Sequence, residues 1–121
     1  MAWTVERSAE ADLDLALIFD FLLAAALDFG EPTDRAFEQA ARRVRDIEQA
    51  IFALGSAPHQ GTLDPALLPG LRRVTKERAI LYFDADEDAQ VVRVLAVFFG
   101  GQEHRRRMLI RLLGGEPPAD R

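Results

Sequence analysis

The pattern of hydrophobic and polar positions changes character twice along the chain. It begins with alternation, runs at helical spacing through the first half, then breaks into short apolar runs separated by polar turns. The densest run is Val91 to Phe99, read Val-Val-Arg-Val-Leu-Ala-Val-Phe-Phe, with Gly100-Gly101 behind it. Its β-branched and aromatic content, short length and glycine boundary predict a central strand buried on both faces. Arg93 is the anomaly. A charge inside such a strand is costly unless it is paired or points into a polar groove.

Trp3 to Arg7 alternates apolar and polar, which predicts a short edge strand. Ser8 follows as an N-cap, and Glu10, Asp12 and Asp14 lie in the first turns, where acids complement the helix dipole. The first helix is predicted over about Ala9 to Asp28, ended by Gly30. Leu13, Leu17, Phe21 and Ala24 make one apolar stripe, with Ile18 and Ala25 beside it. Leu15, Phe19, Leu22, Leu23, Ala26 and Leu27 extend the apolar surface well beyond it, and Asp20 is the only charge between Leu15 and Leu27. A helix apolar almost all round is buried on more than one side. Either it is the central helix of a compact core, or its outer face, carrying Leu15, Phe19, Leu22 and Leu23, docks a partner chain.

Pro32 and Thr33, the latter as cap, open a second helix over about Asp34 to Leu54. Phe37, Ala40, Ala41, Val44, Ile47, Ile51 and Leu54 line one side, and charges line the other. Residues 9–54 thus form a long αα-hairpin. Ser56 to Gly70, rich in Pro and Gly, reads as a loop. Leu71–Thr75, Arg78–Asp84 and Val91–Phe99 then predict a three-stranded antiparallel meander, with an acidic turn at Asp84–Gln90. Gln102–Leu113 suits a short final helix, and residues 114–121 a frayed tail. The order β-α-α-β-β-β-α is an α+β fold, a single domain with the helical hairpin packed on one sheet face.

Composition narrows the function. The chain has 121 residues, 49% of them hydrophobic, enough for one core. There is no cysteine, and His59 and His104 are the only histidines, so neither a disulfide framework nor a Cys- or His-rich metal site is expected, and no cofactor is implied. No export signal and no membrane span is read, which makes a cytoplasmic protein the expectation. The net charge of −5 is uneven: residues 1–60 carry eleven acids against five arginines, whereas Arg72 to Arg111 holds nine basic groups against six acids. The acidic half argues against a general nucleic-acid binder, and the local basic excess permits an acidic partner at one face.

The strands carry the candidate chemistry. Arg72, Arg73 and Arg78 lie on strands beside the one bearing Arg93, which by alternation shares a face with Val91, Leu95 and Val97. If one sheet face packs on the hairpin, the other can gather two or three arginines into a groove for a phosphate or an acidic peptide, with Arg105 beyond the strand exit. Alternatively, these arginines pair with Glu77, Asp84 or Glu103 along the sheet rim. His104, at the strand exit, either acts as a general base or caps the last helix. Asp86, Glu87 and Asp88 read as solvated turn formers, and Tyr82 as core-facing.

Three segments together, Leu68-Pro-Gly-Leu-Arg-Arg-Val74, Arg78-Ala-Ile-Leu-Tyr-Phe83 and Val92-Arg-Val-Leu-Ala-Val-Phe-Phe-Gly-Gly-Gln-Glu-His104, resemble the ParE/RelE superfamily, the toxins of type II toxin–antitoxin modules. Trp3-Thr-Val-Glu-Arg-Ser-Ala-Glu-Ala-Asp-Leu-Asp-Leu-Ala-Leu-Ile18 resembles that family's opening strand and helix, so the resemblance spans about residues 3–113. It implies a cognate antitoxin that folds over the toxin. RelE-like members cut messenger RNA on the ribosome with basic residues on the second and third strands, an arginine after the fourth and often a late Tyr or His. ParE-like members poison DNA gyrase.

Here Arg73 matches a second-strand basic position, but the next falls on Thr75. The third-strand position falls on Ala79, with Arg78 one residue out, a slip that changes the face. The post-strand position falls near Gln102 and the late Tyr position near Met108. The resemblance therefore implies a ParE-like, gyrase-binding toxin without covalent chemistry of its own. The alternatives are a ribosome-dependent endoribonuclease working through Arg73, Arg78, Arg93 and His104, and a non-toxic interaction module or homodimer of the same fold. The partner-binding set is Arg72, Arg73, Arg78, Arg93, His104 and Arg105.

Overall fold

The computed structural model describes residues 2–100 and 103–114. Its elements are β1 (Thr4–Arg7), α1 (Ala9–Asp28), α2 (Thr33–Ala53), β2 (Thr62–Leu63), β3 (Arg72–Lys76), β4 (Ala79–Asp86), β5 (Val91–Phe99) and α3 (His104–Leu112). The predicted β-α-α-β-β-β-α order stands with one addition. The Pro- and Gly-rich loop contributes the two-residue β2, which pairs with β3 through Thr62–Arg73 and Leu63–Arg72. Residues 115–121, where the frayed tail was expected, and Gly101 and Gln102 lie outside the described residues.

The helix ends follow from local chemistry. The Ser8 hydroxyl accepts the Ala11 N–H at 3.0 Å, and Gly30, at φ +98°, lets the chain leave α1. Pro32, rather than Thr33, holds the extended cap position of α2, and Thr33 is the first helical residue. Gly55, just past α2, accepts the Trp3 N–H at 2.8 Å. A Cβ there would lie 2.4 Å from the Trp3 carbonyl oxygen, so the start of the chain can dock against α2 only over a glycine.

The five strands run in the order β1-β5-β4-β3-β2. β1 is parallel to β5, and the other pairs are antiparallel. β5 is therefore an inner strand beside the edge, and β4 takes the centre that the sequence pattern assigns to β5. The helical hairpin covers one sheet face, where Ala11, Leu15 and Ile18 of α1 and Ile47 and Ile51 of α2 pack against Leu81, Phe83, Val92, Val94 and Val97. The opposite face is half covered: Met108 of α3 closes over Leu71, Ile80, Tyr82, Ala96 and Phe98.

A bulge reverses the parity of β5. Tyr82 pairs with Ala96 and Phe83 with Val94, so Leu95 is an extra residue. Strict alternation puts Val97 on the face of Arg93. The bulge turns Val97 onto the helix-covered face instead and leaves Arg93 with Ala96 and Phe98 on the other.

Asp14 of α1 holds this irregularity. Its carboxylate accepts the Val97 N–H at 2.9 Å and both terminal nitrogens of Arg111 at 2.7 and 2.9 Å. Arg111 also donates to the Leu95 carbonyl, as does the Ser8 hydroxyl.

Candidate functional site

The six predicted site residues separate into distinct places. Arg72 leaves the sheet to donate to the His59 carbonyl at 2.6 Å. Arg78 is not on a strand. With Glu77 it forms the two-residue turn between β3 and β4, both at positive φ, exposed at one end of the sheet. Arg93, at 43% side-chain exposure, lies among three acids: Asp86 at 3.0 Å, Glu6 at 3.7 Å and Asp84 at 3.9 Å. Cross-strand register explains this, because Glu6 and Asp84 are its direct neighbours on β1 and β4. The charge in β5 is thus paired at the sheet rim, as the ion-pair alternative requires. Burial holds the Asp84 carboxyl above the ordinary range, while the Ala89 N–H and then Arg93 hold Asp86 below it.

Arg73, His104 and Arg105 do come together, around a residue that sequence reasoning passed over. Asp64, just after β2, is buried and accepts Arg73 at 2.6 Å and Arg105 at 2.9 and 3.0 Å. Its own N–H donates to Leu71, which fixes it across the β2–β3 connection. The Arg105 hydrogen bond is the main cause of an Asp64 pKa below the usual carboxylate value. A signal was present: Asp64 is the sole charged side chain between Glu48 and Arg72.

Beside this fork the Tyr82 hydroxyl and His104 Nδ1 lie 2.7 Å apart. Burial raises the tyrosine pKa, and burial followed by Arg73 and Arg105 lowers that of His104. Both groups are thus favoured in their neutral forms, and the bond is made either by the hydroxyl donating to Nδ1 or by Nδ1–H donating to the hydroxyl oxygen. His104 does not cap α3: Glu103 holds that position, with no side-chain cap bond. A pocket of about 200 Å³ lies here, between Gly61, Thr62, Thr75, Arg73 and His104.

α1 presents the second candidate surface, and its faces are reversed relative to the sequence reading. Leu15 is a core residue at 5% exposure, Leu22 packs against the core, and Phe19 and Leu23 are half-buried, with Phe19 edge-on to Phe37. The outward stripe is Leu13, Leu17 and Phe21, at 60%, 53% and 60% exposure. These residues wall a groove against Phe98 and Arg107, whose guanidinium sits 4.5 Å from the Phe98 ring centre.

Among the described residues, no cluster of His, Asp and Glu is placed to hold a metal ion, and no helix is long and apolar enough to cross a membrane.

No family model and no curated protein sequence matches the chain. Solved structures do. A chain of the chromosomal ParDE TA system from P. aeruginosa superposes with a TM-score of 0.63 at 21% identity, over 81% of this chain and 96% of that one. A chain of the toxin–antitoxin complex RelBE2 from Mycobacterium tuberculosis gives 0.56 at 16% identity, over 82% and 99%. The chain therefore shares its fold with these two toxin–antitoxin chains, and of the two it superposes better on the ParDE chain.

Proposed function

We propose that this chain is the toxin of a type II toxin–antitoxin module, that it inhibits DNA gyrase by binding, and that a cognate antitoxin neutralises it by folding over its surface. The supporting observation is the state of the arginines on the half-covered sheet face. Arg73 and Arg105 are tied to Asp64, Arg93 to its acidic neighbours, and His104 Nδ1 to Tyr82. Carboxylates engage Arg73, Arg93 and Arg105 on this face, which argues against a cluster of free cations for RNA cleavage. The exposed stripe Leu13, Leu17 and Phe21 is an apolar surface suited to an antitoxin segment.

The test is a supercoiling assay with purified protein. Stalled supercoiling with accumulated cleaved DNA is expected; unaffected supercoiling at excess protein would sink the gyrase target.

One observation favours a second reading, a ribosome-dependent endoribonuclease: Tyr82 and His104 are hydrogen-bonded directly beside Arg73. Ribosome-bound message left intact by the protein removes that reading. Expression without growth arrest would point instead to a non-toxic interaction module.

A further inference from the structure

Leu13, Leu17 and Phe21 stand in one row along α1, each more than half exposed, and Ala24, also exposed, continues it. A contiguous apolar row on an outer helix face is the kind of surface that docks against another molecule.

The charges beside the row indicate what it docks. Arg107 of α3 lines the same groove as Asp14, Leu17 and Phe21, so it borders the row on the Asp14 side. Its guanidinium rests on the Phe98 ring, and among the described residues no carboxylate pairs with it. Asp20 borders the opposite flank, because on a helix Asp14 and Asp20 lie about 60° to either side of Leu17. Asp20 is exposed and has no cationic partner among the described residues.

An occupant of uniform charge would satisfy one flank and oppose the other. The occupant that fits carries an apolar row between an anion and a cation, in the reversed order. This surface meets that description itself. A two-fold axis parallel to α1 sets each flank against the opposite flank of a second copy, and so brings the cation of one copy to the anion of the other, twice. An axis perpendicular to α1 sets like flank against like flank.

We propose that two copies of this chain associate through α1, side by side and parallel, with the rows of Leu13, Leu17 and Phe21 in contact and Arg107 of each copy on Asp20 of the other. The dimer holds whether or not the chain is a toxin. Under the proposed function, an antitoxin segment on this row competes with the second copy. Three large side chains per copy make a small interface against the roughly 800 Å² per partner of a standard one. The dimer is therefore reversible and concentration-dependent.

Sedimentation equilibrium of the full chain, from about 1 to about 500 μM, reads the association. The mass should rise from monomer toward dimer. D20R and R107E should each lower the association constant about ten-fold or more, because in a two-fold dimer each change sets two like-charge pairs in contact. D20R/R107E restores opposite charges and should recover most of the association. Both side chains are exposed, and circular dichroism checks the fold of each variant. A monomer at every concentration overturns the dimer. Association that neither single reversal weakens, or that the double reversal does not recover, overturns the pairing.

Orientation is tested separately. The chain has no cysteine, so L13C and A24C each introduce a lone thiol. The two positions lie about 16 Å apart along the helix. In the parallel arrangement each faces its own counterpart, and both variants should form disulfide-linked dimers under mild air oxidation. In an antiparallel arrangement only a residue at the axis meets itself, so cross-linking of one variant alone, or of neither, contradicts the proposal. The gyrase assay is independent of these results. Its failure ends the gyrase reading and leaves the dimer standing, whereas a monomer at every concentration does the reverse.

Discussion

Asp14 and Arg111, ninety-seven residues apart, join the first helix to the last through a two-pronged ion pair, with Asp14 only 4% exposed. The same carboxylate accepts the Val97 N–H, so one side chain fixes α1, the β5 bulge and α3. Removing the guanidinium leaves a buried charge with a single backbone donor. R111L should therefore cost about 3–5 kcal/mol, whereas D14L/R111L, which removes both charges, should recover most of that loss. Urea unfolding of the two variants checks this. If the double variant is no more stable than the single, the pair is not what holds α3 in place.

Asp64 gives a second test, in which the sign of the pH dependence is fixed. Its folded pKa lies below the unfolded value, so the unfolded chain takes up the proton first. Its stabilisation is complete above the ordinary carboxylate range and is lost as pH falls through the lowered folded value. D64N should cost about 1–3 kcal/mol at neutral pH, since Arg73 and Arg105 are partly exposed and can turn to water. It should also flatten the acid limb of the stability curve, measured by urea midpoints across pH. An acid limb unchanged from wild type would remove Asp64 as its source.

The His104 imidazole should titrate below its ordinary value of about 6.5, because burial, Arg73 and Arg105 all oppose its charge. The unfolded ring then protonates first as pH falls, so its contribution is full above the unfolded pKa and declines below it. NMR titration of the ring protons reads the pKa directly. Y82F should release Nδ1 from its hydroxyl partner and shift the balance of ring tautomers, visible in the nitrogen shifts. A ring titrating above its ordinary value would contradict the neutral assignment.

The faces of α1 are separable by mutation. L15A removes a buried side chain and should cost about 2–5 kcal/mol. L17S/F21S alters residues more than half exposed, so its stability should stay within about 1 kcal/mol of wild type. Under the proposed function, the same double variant should weaken antitoxin binding. Thermal melts of both variants decide which stripe faces inward, and a large loss in L17S/F21S would reverse the assignment.

That helix also marks where sequence legibility ends. Its boundaries were readable because Ser8 and Gly30 are chemically distinctive, and the observed Ala9–Asp28 agrees with them. Its orientation was not. Leu13-Leu17-Phe21-Ala24 and Ala11-Leu15-Ile18-Leu22 both run at helical spacing, and so few charges separate them that periodicity cannot choose. Strand positions were likewise readable from apolar runs, while the Leu95 bulge was not, since nothing in Val-Leu-Ala-Val announces an extra residue. That one residue moved Val97 to the other face. In the candidate site, Arg73, His104 and Arg105 were singled out by type, but the residue that gathers two of them, Asp64, lay in a segment read only as loop. Arg78 failed for a different reason: a non-glycine residue at positive φ leaves no trace in composition.

β1 covers β5 only as far as Val94, and beyond that point β4 is its only neighbouring strand among the described residues. Such a flank ordinarily invites a borrowed strand from another molecule. Here the Val97 N–H is occupied by Asp14, and the Leu95 carbonyl by Ser8 and Arg111. The ladder is thus plugged by side chains where it would otherwise propagate, which guards the free protein against edge-to-edge self-association. D14L/R111L unplugs it, so that variant is the one to watch for fibrous aggregates on storage.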